Sequence, residues 1–124
     1  MKRRLLAGLA VAALGLATAA IALARPAATP TLKGTVGPGF TISLTQNGKK
    51  VKTLKAGAYK FVISDKAAIH NFVIEKESGT KFEKDLTTVS FTGTKTVTVT
   101  LKKGQWKFYC KPHESSMFGD FTVK

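Results

Sequence analysis

Eleven residues near the C-terminus, Tyr109-Cys110-Lys111-Pro112-His113-Glu114-Ser115-Ser116-Met117-Phe118-Gly119, concentrate the reactive side chains of this chain. They contain the only cysteine, one of two histidines and the one methionine besides Met1. Thiolate, imidazole and thioether are soft or borderline donors, and together they suit copper better than other common biological metals. A further donor must come from elsewhere, and the remaining histidine, His70, lies forty residues before Cys110. The expected ligands of one metal ion are therefore His70, Cys110, His113 and Met117. Zinc is the competing metal, but a thioether is a poor zinc ligand and structural zinc usually draws on more cysteine or histidine.

Each residue alone is a weak signal. Cys-x-x-His also occurs in zinc sites and by chance, a strand histidine is commonly structural, and a lone methionine commonly fills a core. Their joint occurrence carries the inference, because it uses every histidine and the sole internal methionine. Two histidines, a cysteine and a weak axial methionine form the donor set of a blue-copper electron-transfer site.

Such donors need a rigid frame, and the sequence offers strands. From Leu32 onward, short alternating runs are broken by turns. Phe40, Ile42 and Leu44 alternate with hydroxylic residues, and Asn47-Gly48 then signals a type I′ hairpin. Tyr59, Phe61 and Ile63 predict a second clear strand, and Ile69 to Ile74 a third with His70, Phe72 and Ile74 on one face. Further strands are expected over Thr94–Leu101, Gln105–Cys110 and Phe118–Val123. In the segment before the cysteine, Trp106, Phe108 and Cys110 turn inward, whereas Lys107, Tyr109 and Lys111 turn outward. Leu86, Val89 and Phe91 are expected to cover an edge of the core, and Val36-Gly37-Pro38-Gly39 is a turn with no assigned role. No amphipathic helix is evident in this region. The pattern predicts an all-β, Greek-key β-sandwich.

With that frame, Ile69-His70-Asn71-Phe72, Tyr109-Cys110-Lys111-Pro112-His113 and Met117-Phe118-Gly119 resemble the small cupredoxins of the plastocyanin, amicyanin and pseudoazurin type. The resemblance covers residues 32–124. It implies one type 1 copper with His70, Cys110 and His113 equatorial and Met117 axial, and Asn71 tying the two ligand segments together by hydrogen bonds. It also implies a remote electron-transfer face at Tyr109, flanked here by Lys107 and Lys111. Pro112 stiffens the ligand loop and removes a backbone donor. The implied function is one-electron transport by Cu(II)/Cu(I) cycling. A copper carrier with the same fold is the alternative, although the Met- or His-rich motifs of carriers are missing. An enzyme is not expected, because oxidases built from such domains need further histidine-rich copper centres.

Residues 1–24 differ from the rest. Met1-Lys2-Arg3-Arg4 is a basic start, an apolar run follows, and Ala22-Leu23-Ala24 is a small-residue cleavage site. That is the layout of an export signal, and the length of the run also allows an uncleaved membrane anchor. Residues 25–31 read as a Pro/Ala/Thr linker. Localisation outside the cytoplasm follows, whether periplasmic, extracellular or tethered to the membrane through residues 5–24. A lone cysteine fits that compartment when a metal occupies it, since a free thiol there is open to oxidation.

The net charge is +13, and residues 1–24 contribute only three of the 20 basic residues and none of the seven acidic ones, leaving +10 beyond them. Dispersed lysines without an arginine cluster or a recognition motif argue against nucleic acid. Such basicity favours an acidic protein, an anionic membrane surface or a wall polymer; a redox protein is the expected partner, and the chain itself is expected to be a monomer.

Overall fold

The computed structural model describes Ala10 and residues 12–124. The expected signal or anchor over residues 1–24 lies in part outside the described residues. Among those described, no helix is long and apolar enough to cross a membrane, and no helix or strand precedes Thr31.

Among the described residues, ten strands form two five-stranded sheets. The first runs β3 (Lys49–Lys50), β2 (Ile42–Gln46), β1 (Thr31–Val36), β5 (Gly57–Asp65) and β8 (Gly93–Leu101). The second runs β4 (Thr53–Leu54), β10 (Phe118–Val123), β9 (Gly104–Tyr109), β6 (Val73–Lys76) and β7 (Phe82–Asp85). β1 pairs with β5, and β4 with β10, in parallel; the other pairs are antiparallel. The chain repeatedly changes sheets, so the all-β sandwich expected from the alternation is present.

Inward residues of both sheets make one core. Leu32, Phe61, Ile63 and Leu101 from the first sheet meet Ile74, Trp106, Phe108 and Phe121 from the second, all at most 3% exposed. Each such side chain contributes about 1.5–3 kcal/mol by leaving water. Phe72 stacks on Phe108 at a centroid distance of 5.7 Å, which joins the loop before β6 to β9. Asn47 and Gly48 both have positive φ, 50° and 76°, as the two central residues of a type I′ turn require.

Four expectations need correction. Phe40 is not an inward strand residue: β2 begins at Ile42, and Phe40 is 61% exposed on the preceding turn. The segment from Ile69 is not strand until Val73, because residues 66–72 loop over the end of the sandwich. Val89 covers no core, being 38% exposed, whereas Leu86 is fully buried. Thr31 belongs to β1 rather than to the linker.

Gly119 shows why an aromatic-glycine pair opens β10. It lies opposite Phe108 in the β9–β10 register, and a Cβ there would sit 2.3 Å from the Phe108 ring. Gly119→Ala is therefore expected to destabilise the fold by about 1–3 kcal/mol through overpacking. A denaturant midpoint equal to wild type would count against this packing argument.

Candidate metal centre

The centre lies at one end of the sandwich, where three chain segments converge. Cys110 directly follows β9 and is fully buried. The chain then makes a single 3-10 turn, Lys111–His113, with Pro112 in its first turn, where a missing N–H costs nothing. The turn closes on itself: His113 N–H donates to Cys110 O at 3.1 Å, and Met117 N–H to His113 O at 2.8 Å. Cys110 N–H donates to Met117 O at 3.0 Å, so both ends of the loop are clamped before β10 starts.

His70 comes from the loop before β6, and its ring is completely buried. Donor atoms of His70, Cys110 and His113 all lie within 4.8 Å of one another. Both imidazoles present Nδ1: these nitrogens are 3.1 Å apart, and lie 3.8 Å (His70) and 3.6 Å (His113) from the Cys110 sulfur. Two like nitrogens pointing at one thiol across a short gap suit a cation between them. His70 Nε2 is buried without a hydrogen-bond partner, and with the Nδ1 lone pair given to a metal it would carry the ring's proton. Met117 is also fully buried and follows in the same loop.

Asn71 links the two ligand segments. Its side-chain oxygen accepts the Lys111 N–H at 2.9 Å, and its own N–H points to the Cys110 sulfur at 3.5 Å. Pro112 has no N–H to offer, so this backbone donor to sulfur comes from across the loop. Asn71→Ala should cost about 1–2 kcal/mol of stability, because the partly buried Lys111 N–H loses its acceptor. Thermal unfolding of the copper-free protein measures this, and an unchanged midpoint would contradict it.

Three contributors escaped the sequence reading. The first is Phe40, whose ring meets His70 and His113 edge-on at centroid distances of 5.6 and 4.9 Å. The turn given no role delivers it. In that turn Gly37 has φ +73°, and a Cβ there would lie 2.9 Å from the His70 ring. Asp65 and Thr87 are the others. Thr87 Oγ1 donates to Asp65 Oδ2 at 3.2 Å and accepts the Phe72 N–H at 2.9 Å, bracing the loop that carries His70. Burial raises the Asp65 carboxyl above its ordinary range, against hydrogen bonds from Ala67 and Thr87 that pull it down. Asp65 continues the inward parity of Tyr59, Phe61 and Ile63, and a carboxylate at that position was the available signal.

Lys107, Tyr109 and Lys111 point outward as expected, but only Lys111 is exposed, and both lysines are paired. Tyr109 is only 4% exposed. Its burial, with Glu83 next in weight, pushes the phenol up to about 12. Lys107 binds Glu114 at 2.9 Å, with its ammonium also 5.2 Å from the Tyr109 ring centre. Lys111 binds Glu83 at 2.8 Å and Asp85 at 2.7 Å. These bonds raise both lysines above their ordinary range and lower Glu83. The outward direction follows strand alternation, but Glu114 pairs Lys107, the β7 carboxylates Glu83 and Asp85 pair Lys111, and the Tyr109 ring is covered.

Comparison with known proteins agrees with this geometry. A family model described as copper-binding proteins of the plastocyanin/azurin family matches residues 34–124. No curated protein matches the sequence significantly. Among solved structures, auracyanin A, a blue copper protein from Chloroflexus aurantiacus, is 17% identical with a TM-score of 0.55, covering 78% of this chain and all of its own. Rusticyanin from Thiobacillus ferrooxidans is 24% identical with a TM-score of 0.51, covering 77% of each chain. A multi-copper oxidase from Pediococcus acidilactici is 16% identical with a TM-score of 0.53, over 84% of this chain but only 28% of its own. At these identities the structures establish the shared fold, and the family model supplies the ligand chemistry. The chain belongs to the plastocyanin/azurin family of copper-binding proteins, and His70, Cys110 and His113 form its type 1 copper site.

Proposed function

We propose that this protein is an exported electron carrier rather than an enzyme, passing single electrons between redox partners. The observation that carries this reading is the set of two Nδ1 atoms and one thiol within 4.8 Å of one another, at the end of a rigid sandwich. Copper bound there supplies a one-electron couple between Cu(II) and Cu(I). The chain's part is to hold the donors so that little moves when the charge changes. The clamped 110–117 loop, the Asn71 bridge and the Asp65–Thr87 brace do so. Met117, buried beside them, is assigned the axial position. The N-terminal segment, read as signal or anchor, would carry the domain across the cytoplasmic membrane.

Electrons are assigned a route through His113, the only one of the three ligands that is not buried. Phe40 and Ile69, 61% and 52% exposed, stand beside the ligands or next to them in sequence and give this end an apolar surface. A partner that docks there excludes water over the imidazole. The Lys107–Tyr109–Lys111 face is a poorer entry point, since its charges are already paired. An acidic partner therefore remains a proposal resting on the overall basicity alone.

The deciding experiment is a titration of the protein with Cu(II). One equivalent should give an intense thiolate-to-copper band in the red, bleached by reductant and restored by oxidant. A colourless 1:1 complex would defeat the assignment. Rapid surrender of copper to a chelator in both oxidation states would favour delivery over electron transport. Ile69→Glu should also slow electron self-exchange between copies about tenfold, since an unpaired charge at the contact costs about 1.4 kcal/mol or more. The visible spectrum should stay as it was. Unaltered exchange would move the contact elsewhere.

A further inference from the structure

The two sheets do not close at every side. Between the edge strands β7 and β8 they part around a cleft of about 650 Å³, within the range of small-molecule sites. Lys76, Lys81, Lys84, Lys102 and Lys103 line it, and no carboxylate does. Among the described residues, ion pairs involve only Lys107 and Lys111, so none of these five is neutralised. Strand alternation explains the separation of charge. On β7, Phe82 and Lys84 line the cleft while Glu83 and Asp85 turn the other way, to Lys111.

Lys76 is the most telling of the five. It is 7% exposed, and its ammonium donates to the Ser78 carbonyl, with no acidic partner. Gly104 keeps the space beside it open: a Cβ there would lie 2.9 Å from the Lys76 side chain. A buried ammonium without a counter-charge is costly, and an anion in the cleft removes that cost. The rest of the lining mixes the apolar Phe82, Val99 and Trp106 with Thr80, Thr98 and Thr100. Trp106 is buried at the base, with the Phe82 ring 5.8 Å away, and Val99 contributes from β8.

We propose that this cleft binds a small aromatic anion carrying at least two negative charges. Its planar body would lie against Phe82, above the buried Trp106, and its charged groups would reach Lys76 and Lys84 of the second sheet and Lys102 and Lys103 of the β8–β9 turn. The site is separate from the copper. Trp106 in β9 and Cys110 just beyond its end are four residues apart, about 13 Å at a strand rise of about 3.3 Å per residue. Inward lysines on an edge strand also discourage strands from adding to it, and that role alone predicts no ligand.

Trp106 is the only tryptophan, so the protein has a single indole N–H resonance. That group donates to Lys102 O at 2.8 Å, at the cleft. The full-length protein loaded with Cu(I) is titrated with naphthalene-2,6-disulfonate, inorganic pyrophosphate and 2-naphthol, followed by NMR. The disulfonate should shift the indole signal saturably and bind at least tenfold tighter than either control. Lys84→Gln with Lys103→Gln should weaken it at least tenfold, whereas Lys33→Gln with Lys60→Gln, on the outer face of the first sheet, should not. After oxidation to Cu(II), the visible band should be the same in all variants. An indole signal that does not saturate would overturn the proposal. So would pyrophosphate binding as tightly as the disulfonate, or equal loss in both double variants.

Discussion

Cys110→Ser is expected to abolish the intense visible band of the copper-loaded protein and leave the sandwich folded. The band requires a thiolate, which a serine hydroxyl does not replace at neutral pH. The fold should survive because the residue's backbone keeps its role: its N–H still clamps Met117 O and its carbonyl still receives His113 N–H. The new hydroxyl is isosteric enough to remain in place, with the Asn71 N–H available to it. Placing it in a fully buried position should cost about 1–3 kcal/mol. Absorption and circular dichroism on the same sample separate the two effects. A variant that kept the band would show that the colour does not arise at Cys110. A variant that unfolded would show that the thiol is needed for packing, which the core of both sheets argues against.

The parts legible in the sequence were those written in short-range pattern. Period-2 alternation located β5, β8, β9 and β10, since each has one face on the core and one toward solvent. The Asn47-Gly48 pair located the β2–β3 turn. The convergence of His70 with Cys110 and His113 was reachable because the chain has no other histidine to consider. Contributions that depend on which loop folds over which end were not legible. Phe40 fits an alternating pattern with Ile42 and Leu44 and leaves it only because the chain turns before Ile42. The segment before Val73 also alternates, yet it is held as a loop by Thr87 and by Asn71 reaching Lys111. Tyr109 points outward as alternation requires, and is buried all the same because β7 and its carboxylates pack alongside. Alternation reports direction, whereas burial depends on what the neighbouring strand brings.

Met117→Leu should leave the copper and the blue colour in place and raise the reduction potential. The side chain is fully buried at the base of the ligand loop, so a branched hydrocarbon of similar volume should cost less than about 1.5 kcal/mol. The loop itself is closed by backbone bonds, Met117 N–H to His113 O and Cys110 N–H to Met117 O, and these do not depend on the side chain. Histidine and cysteine donors therefore stay where they are. The loss is a single weak sulfur donor, and the oxidised ion, which has more need of donor electrons, loses more than the reduced one. Each tenfold fall in affinity for Cu(II) relative to Cu(I) raises a one-electron potential by about 59 mV. An increase of that order or larger is the expected result, measured by voltammetry, with the visible band shifted but still intense. Introducing a stronger donor at the same position, as in Met117→Gln, should move the potential the other way, because an amide oxygen is a harder ligand that favours the oxidised ion. A potential equal to wild type in both variants would remove Met117 from the ligand set, and the three donors already gathered within 4.8 Å would then define the site without it.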